Sequence, residues 1–381
     1  MSVVAGTLAL LPLHALAADG WGRTAARWTG FLYAVHPAFV AFHGRVLTEG
    51  VYHLAGFCAV LGLWRGVRDR SWRWAVGGGA AVGLAFLARL EGLILAASAY
   101  GTLFGLLLVG PGLRRGAGPL VLGAAATLLV VAPYFLHLRS EAGRWTLSPR
   151  QVASLEPVPD LGRPARSPLS AFARDLRRVV VPAAAVLAVV GLVAFRRGSS
   201  GGWTGAALAG SAAVYLGAVL AHSLWVGGYM SERYLSTAAA LLLPWSGWGL
   251  AGLMGRLEAR PAWAGATAVG LALLLGGRFL PVKDGEDRPL VEAAAWLRDH
   301  GGRGRPVLCS KDALAWHAQA RFVGHMSPSA ALAQVEAGRI DFILYEEREL
   351  ESLARILERP STRRLARFGP EGRGAAVYAL R

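Results

Sequence analysis

From Trp74 to Gly110 the chain is apolar except for Arg89 and Glu91, inside Leu87-Ala88-Arg89-Leu90-Glu91-Gly92. A helix crosses the hydrocarbon core of a bilayer in about 20 residues, so this run is too long for one span and suits two. The charged pair then falls at a tight turn on the membrane surface. Charge beside a span is expensive and marks a functional candidate with a partner. A turn whose charges merely snorkel into the interface gives the same pattern, and both readings stand at this point.

The rest of the chain fits that setting. Of 381 residues, 54% are hydrophobic and mean hydropathy is positive, which implies a polytopic membrane protein with enough polar sequence for one small soluble domain. Net charge is +16, yet Lys283 and Lys311 are the only lysines. The arginines are scattered at segment ends instead of forming a patch, which argues against nucleic acid as a partner. Cys58 falls in an apolar span and Cys309 in the polar tail, so neither a disulfide framework nor a thiolate metal site is expected. The apolar start, Val3 to Ala18, lacks a basic leader and runs into further spans, unlike a cleavable signal.

About ten spans are expected, near 2–18, 28–43, 50–65, 73–88, 91–111, 119–138, 179–196, 203–226, 234–254 and 262–279. One set of loops carries Arg23 and Arg27, then Arg65, Arg68, Arg70 and Arg73, Arg114 and Arg115, Arg196 and Arg197, and Arg256 and Arg260. The short loops of the other set carry only Arg45, Arg89 and Arg233. The positive-inside rule makes the first set cytoplasmic. The N-terminus, the loop at 139–178 and residues 281–381 are then external. The Arg-rich 139–178 loop runs against this orientation, but five short loops agree with it. Leu169, Phe172, Leu176 and Val179 recur at helical spacing, as in an amphipathic surface helix or the start of the next span. Domain 1–280 is thus membrane-embedded, and 281–381 reads as a small α/β domain. Its expected helices are 290–300, one beginning at Pro328 behind a Ser327 cap, and 347–357. Its expected strands are 307–309, 340–345 and 375–380.

The external span ends collect His36, His43, Arg45, Glu49, His53, Arg89, Glu91, Tyr229, Glu232, Arg233 and Tyr234 from distant segments. Arginines offer planar, permanently charged forks for phosphate, and a carboxylate can take a hydroxyl proton. The set suits a ligand with a phosphate head and a lipid tail. Structural alternatives remain beside each member: a Glu49–Arg45 pair one helical turn apart, Arg233 as an interfacial anchor, and Tyr229 and Tyr234 as part of an aromatic belt. The histidine spacing matches no ligand motif, so no metal is expected.

His36-Pro37, then Arg45-Val46-Leu47-Thr48-Glu49, a basic loop, a Gly-rich span and Ala88-Arg89-Leu90-Glu91-Gly92 resemble the GT-C class of membrane glycosyltransferases. The similarity is to the bacterial protein mannosyltransferase and aminoarabinose-transferase group. Ala132-Pro133-Tyr134, Gly143-Arg144-Trp145-Thr146-Leu147-Ser148, Glu232-Arg233-Tyr234 and Pro244 extend it over most of the chain. The resemblance implies a polyprenyl-phosphate sugar donor and inverting displacement at the outer face of the plasma membrane; an envelope acceptor and no cofactor are expected. The resemblance gives Glu49 the role of an acidic residue, and Arg233 and Arg89 that of phosphate-binding cations; Arg45, Glu91, Tyr229 and Tyr234, gathered at the same face, are the further substrate-binding candidates. The family's main aspartate, in a first external loop, has no counterpart here: no Asp precedes Asp19. A start that lies downstream of the family's first span is therefore expected. Two other classes remain open, a transporter or lipid flippase and an inactive scaffold. No repeat relates the two halves, and the polar residues gather at one face instead of the midplane, unlike most transporters. The sugar and the acceptor are not legible.

Overall fold

The structure, a computed structural model, describes residues 2–44, 48–142, 179–180, 182–195, 202–225, 232–257, 284–309, 312–323, 328–347, 353–370 and 374–380, with isolated positions 145, 169, 172, 173, 176 and 270. It forms two compact units, a helical one ending at Leu280 and a C-terminal one within Pro281–Arg381.

The helical unit contains α1 (Ser2–Leu8), α2 (Leu10–Val35), α3 (Pro37–Gly44), α4 (Glu49–Arg68), α5 (Trp72–Ala88), α6 (Gly92–Val109), α7 (Ala117–Ala142), α8 (Pro182–Phe195), α9 (Gly202–Trp225) and α10 (Glu232–Leu257). Among the described residues, five helical stretches are long and apolar enough to cross a membrane: Ser2–Val35, Gly92–Val109, Arg114–Glu141, Gly202–His222 and Arg233–Gly255. Ala184–Val193 is a shorter apolar helix. The expected total of ten is not reached on that measure. The first two expected spans share one helical stretch broken at Gly22, where φ is 82°. The expected span at 262–279 lies outside the described residues except for position 270.

Contacts order the strokes of the chain. Gly6 packs against the His43 ring and Gly50 against the Ser2 carbonyl, while Asp19 binds Arg65 at 2.8 Å and Arg68 at 3.1 Å. Residues 2–22 therefore run parallel to α4, and the chain turns back at Gly22. Glu49 and Arg65 sit about 24 Å apart along α4 at 1.5 Å per residue, so polar contacts cap both ends of an apolar bundle.

Small residues bring the helices together. In lipid there is little hydrophobic drive between helices, and close backbone packing replaces it. A Cβ on Gly62 would lie 2.6 Å from the Gly78 Cα, and one on Gly79 would lie 1.9 Å from the Gly123 carbonyl oxygen. α5 thereby lies between α4 and α7. Gly191 and Gly249 do the same for α8 and α10, and Gly247 meets Thr29 of α2. The described positions of 169–179 are helical, and Phe172, Leu176 and Val179 pack on this apolar core.

The C-terminal unit is a five-stranded sheet of β1 (Pro306–Cys309), β2 (Arg321–Phe322), β3 (Phe342–Glu346), β4 (Thr362–Phe368) and β5 (Ala375–Leu380), in the order β2-β1-β3-β5-β4. β1 is parallel to β2 and β3, whereas β5 is antiparallel to β3 and β4. Strand side chains alternate in direction, so Val307, Cys309 and Leu344 meet Leu290, Ala294 and Leu297 of α11 (Asp284–Leu297) and Leu314 of α12 (Asp312–His317) on one face. Leu308 and Ile343 meet Ala331 of α13 (Pro328–Glu336) and Ile356 of α14 (Ala354–Leu357) on the other. The result is a three-layer α/β/α unit. Strands β1, β3 and β5 fall where periodicity expects them. The Ser327 cap and residues 348–352 of the expected 347–357 helix lie outside the described residues. Edge strand β4 has no counterpart in the sequence reading, because Arg363, Arg364 and Arg367 conceal its pattern.

Candidate functional site

α5 ends at Ala88 and α6 begins at Gly92, so Arg89, Leu90 and Glu91 form the tight turn expected from the charged interruption. Gly92 is what closes it. A Cβ there would lie 2.3 Å from the Phe86 nitrogen, so only glycine lets the two helices meet this tightly. The turn delivers Arg89 to the first turn of α4.

Arg89 is the centre of an ion-pair cluster. Its Nη1 donates to Glu49 Oε1 at 2.5 Å, its Nη2 pairs with Glu91 Oε1, and its guanidinium carbon lies 6.0 Å from the centre of the Tyr52 ring. Glu49 is 1% exposed and also accepts Arg233 at 3.3 Å, from the start of α10. Its second oxygen, Oε2, is buried and has no hydrogen-bond partner among the described residues. A buried acceptor without a donor is uncommon and calls for an explanation. Arg233 is more accessible, with 37% of its side chain exposed against 14% for Arg89.

The first turn of α4 is a hub, because residues three and four apart share a helical face. Tyr52 donates to the Glu91 carbonyl at 3.3 Å, and the Tyr215 hydroxyl of α9 lies 3.2 Å from it; with the Tyr52 proton used, Tyr215 is the donor. His53 Nε2 lies 3.0 Å from Ser236 Oγ, and His53 Nδ1 lies 3.0 Å from His43 Nε2. Ser236 donates to the Arg233 carbonyl at 2.7 Å, so it must accept from His53. Proton placement follows: His53 carries its proton on Nε2 and accepts at Nδ1 from His43. Tyr33 closes the chain at 3.4 Å from His43. A buried polar relay thus runs from α2 to the backbone of Arg233.

The structure brings Glu49, Arg89, Glu91, Arg233, His43 and His53 together. Glu49 is held by cations from two other segments, which goes beyond a local helix pair. Arg45 and Tyr229 lie outside the described residues, as does the side chain of Glu232. Tyr234 is half-buried with its ring 6.3 Å from that of His222, and His36 is buried against Phe39 at 4.6 Å. Tyr33, Tyr52, Tyr215 and Ser236 were not among the sequence candidates. Tyr52 and Ser236 stand three residues from Glu49 and Arg233 on a helix and were findable that way; Tyr215 gave no signal.

Residues 1–137 match the model of the dolichyl-phosphate-mannose-protein mannosyltransferase family. No functionally curated protein matches the chain by sequence. ArnT from Cupriavidus metallidurans bound to undecaprenyl phosphate superposes with a TM-score of 0.60 at 15% identity, over 99% of this chain and 83% of that one. The archaeal oligosaccharyltransferase AglB from Archaeoglobus fulgidus, in complex with an inhibitory peptide and a dolichol-phosphate, gives 0.54 at 15% identity over 92% and 58%. The mycobacterial arabinofuranosyltransferase AftD gives 0.50 at 14% identity over 100% and 34%. The chain therefore has the GT-C fold of these membrane glycosyltransferases, and its first 137 residues match the mannosyltransferase family model.

Proposed function

We propose that this protein transfers a sugar from a polyprenyl-phosphate donor to an envelope acceptor at the outer face of a bacterial plasma membrane, inverting the anomeric centre. The observation that carries the reading is Glu49, a buried carboxylate with one oxygen held by Arg89 and Arg233 and the other without a partner. An arriving phosphate competes with Glu49 for Arg233, the more exposed of the two cations. Glu49 then keeps Arg89 at its Oε1 while Oε2 has no donor among the described residues. Glu49 Oε2 takes the proton of the acceptor hydroxyl as the hydroxyl oxygen bonds to the anomeric carbon. The bond from that carbon to the lipid phosphate breaks, and the charge left on the phosphate is held by Arg233, with Arg89 behind it. Arg45, Tyr229 and Tyr234 complete the donor site in this reading. Residues 281–381 lie outside the cytoplasm, on the acceptor side.

The fold shared with ArnT bound to undecaprenyl phosphate and with AglB in complex with a dolichol-phosphate supports the lipid-phosphate class of donor. The decisive experiment follows radiolabelled sugar from a polyprenyl-phosphate pool into acceptor material in membranes. Arg233→Ala is expected to slow transfer at least tenfold, a loss of about 1.4 kcal/mol of transition-state stabilisation. Unchanged turnover of donor would refute the phosphate role.

A further inference from the structure

The C-terminal unit carries a concavity far along the chain from the ion-pair cluster. It has a volume of about 480 Å³ and is lined by Arg298, Trp316, His317, Gln319 and Ala320. Trp316 is 77% exposed, the largest apolar side chain left to solvent in this unit among the described residues. α12 explains its direction. Leu314, Ala315 and Ala318 bury the inner face of that helix, which leaves Trp316, His317 and Gln319 on the outer side.

The backbone beneath the pocket is strained. Gln319 has φ of 49°, the left-handed region in which glycine is at ease and other residues are not. The helix ends there as a C-cap motif, with Ala320 N–H bonded to the Ala315 carbonyl at 2.9 Å and Gln319 N–H to the Trp316 carbonyl at 3.0 Å. Glycine would close the same motif more easily. What glutamine adds is a carboxamide, both donor and acceptor, at the rim of the pocket. Strain kept under a concavity is a reason to look for a ligand.

The polar groups indicate which ligand. Arg298 is paired with Asp299 through two hydrogen bonds of 2.9 and 3.3 Å. Its guanidinium, with Arg303 adding charge at 3.9 Å, holds the Asp299 carboxyl below the usual carboxylate range, so Asp299 stays ionised and the Arg298 charge is already met within the protein. With its guanidinium engaged by Asp299, Arg298 does not single out an anion, and Arg303 beside the same carboxylate disfavours a cation. The rim presents donors and acceptors side by side, next to an open indole face. Adjacent hydroxyls match the former and the C–H face of a sugar ring matches the latter. We propose that this pocket binds a neutral saccharide by stacking it on Trp316 and hydrogen-bonding it through Arg298, His317 and Gln319. The proposal goes beyond the transfer reading and does not need it.

The test uses the full chain in lipid nanodiscs and saturation-transfer NMR with three neutral probes, mannotetraose, cellotetraose and xylotetraose. At least one probe is expected to receive saturation on its ring C–H protons. Trp316→Ala is expected to weaken its binding at least tenfold. Gln319→Gly is expected to weaken it severalfold without lowering the melting temperature, because glycine relieves the left-handed backbone. Arg233→Ala is expected to leave it intact, which separates this pocket from the ion-pair cluster. Silence of all three probes, or binding that survives Trp316→Ala, overturns the proposal. So does a Trp316-dependent attachment to anionic vesicles in place of saccharide, which would make the indole a membrane anchor.

Discussion

Replacing Arg89 by Met and Glu49 by Gln, singly and together, tests whether their pair sits in a dry interior. The Glu49 side chain is 2% exposed and the Arg89 side chain 14%. Removing one partner of a buried ion pair costs about 3–5 kcal/mol, because the survivor is left desolvated and uncompensated. Arg89→Met is expected in that range, since Glu49 then keeps only Arg233, at 3.3 Å and 37% exposed, and Glu91 loses its partner as well. Glu49→Gln is milder, about 1–3 kcal/mol, because Arg89 still holds Glu91 and the glutamine oxygen can still accept from Arg89, while the charge that faced Arg89 and Arg233 is lost. The double variant leaves no bare charge at position 49, so it should fall short of the summed singles by at least about 1 kcal/mol. Thermal unfolding can be followed with a thiol-reactive dye. Cys58 is half-buried in α4 and free to report on the helical unit once Cys309, buried in β1, is changed to Ala. Additivity within about 0.5 kcal/mol would refute the direct pair. An Arg89→Met loss below about 1 kcal/mol would mean that the pair behaves as an exposed one.

Other outcomes follow from the same geometry. Gly79→Ala should lower stability by about 1–3 kcal/mol, since its Cβ would lie 1.9 Å from the Gly123 carbonyl and α5 must leave α7; an unchanged melting temperature would sink that contact. Ser236→Ala strands the buried His53 N–H at a cost of about 1–3 kcal/mol; His53→Phe in turn takes the acceptor from His43, and the double variant should fall short of the summed singles because the His53–Ser236 bond is lost only once; a double variant worse than the summed singles would contradict the relay. A reporter active only outside the cytoplasm, fused after Arg381, should be active, whereas a lit cytoplasmic reporter would overturn the proposed orientation.

Much of the membrane unit was legible because charge is rare in it. Arg89 and Glu91 stand out against an apolar run, and so do Glu49 and Arg233 at span ends, whatever the helices pack against. Which of these groups would meet was not legible. Glu49 meets Arg233 from 184 positions away and Tyr52 meets Tyr215 from 163 away, by helix packing set through glycines whose partners no local pattern names. The C-terminal strands β1, β3 and β5 were legible as buried runs. Strand β4 was not, since an edge strand faces solvent and carries charge, which hides the alternation.

Gly22 carries a consequence for how the protein enters its membrane. Residues Ser2–Val35 form one apolar stretch of 34 residues, about 51 Å long if straight and well beyond a hydrocarbon core of about 30 Å. The backbone value of 82° at Gly22 folds that stretch back on itself, which gives two arms the length of a crossing in place of one over-long rod. Each crossing reverses the side on which the next loop emerges. The proposed sidedness of the Arg89 turn and of the later loops therefore hangs on one residue without a side chain.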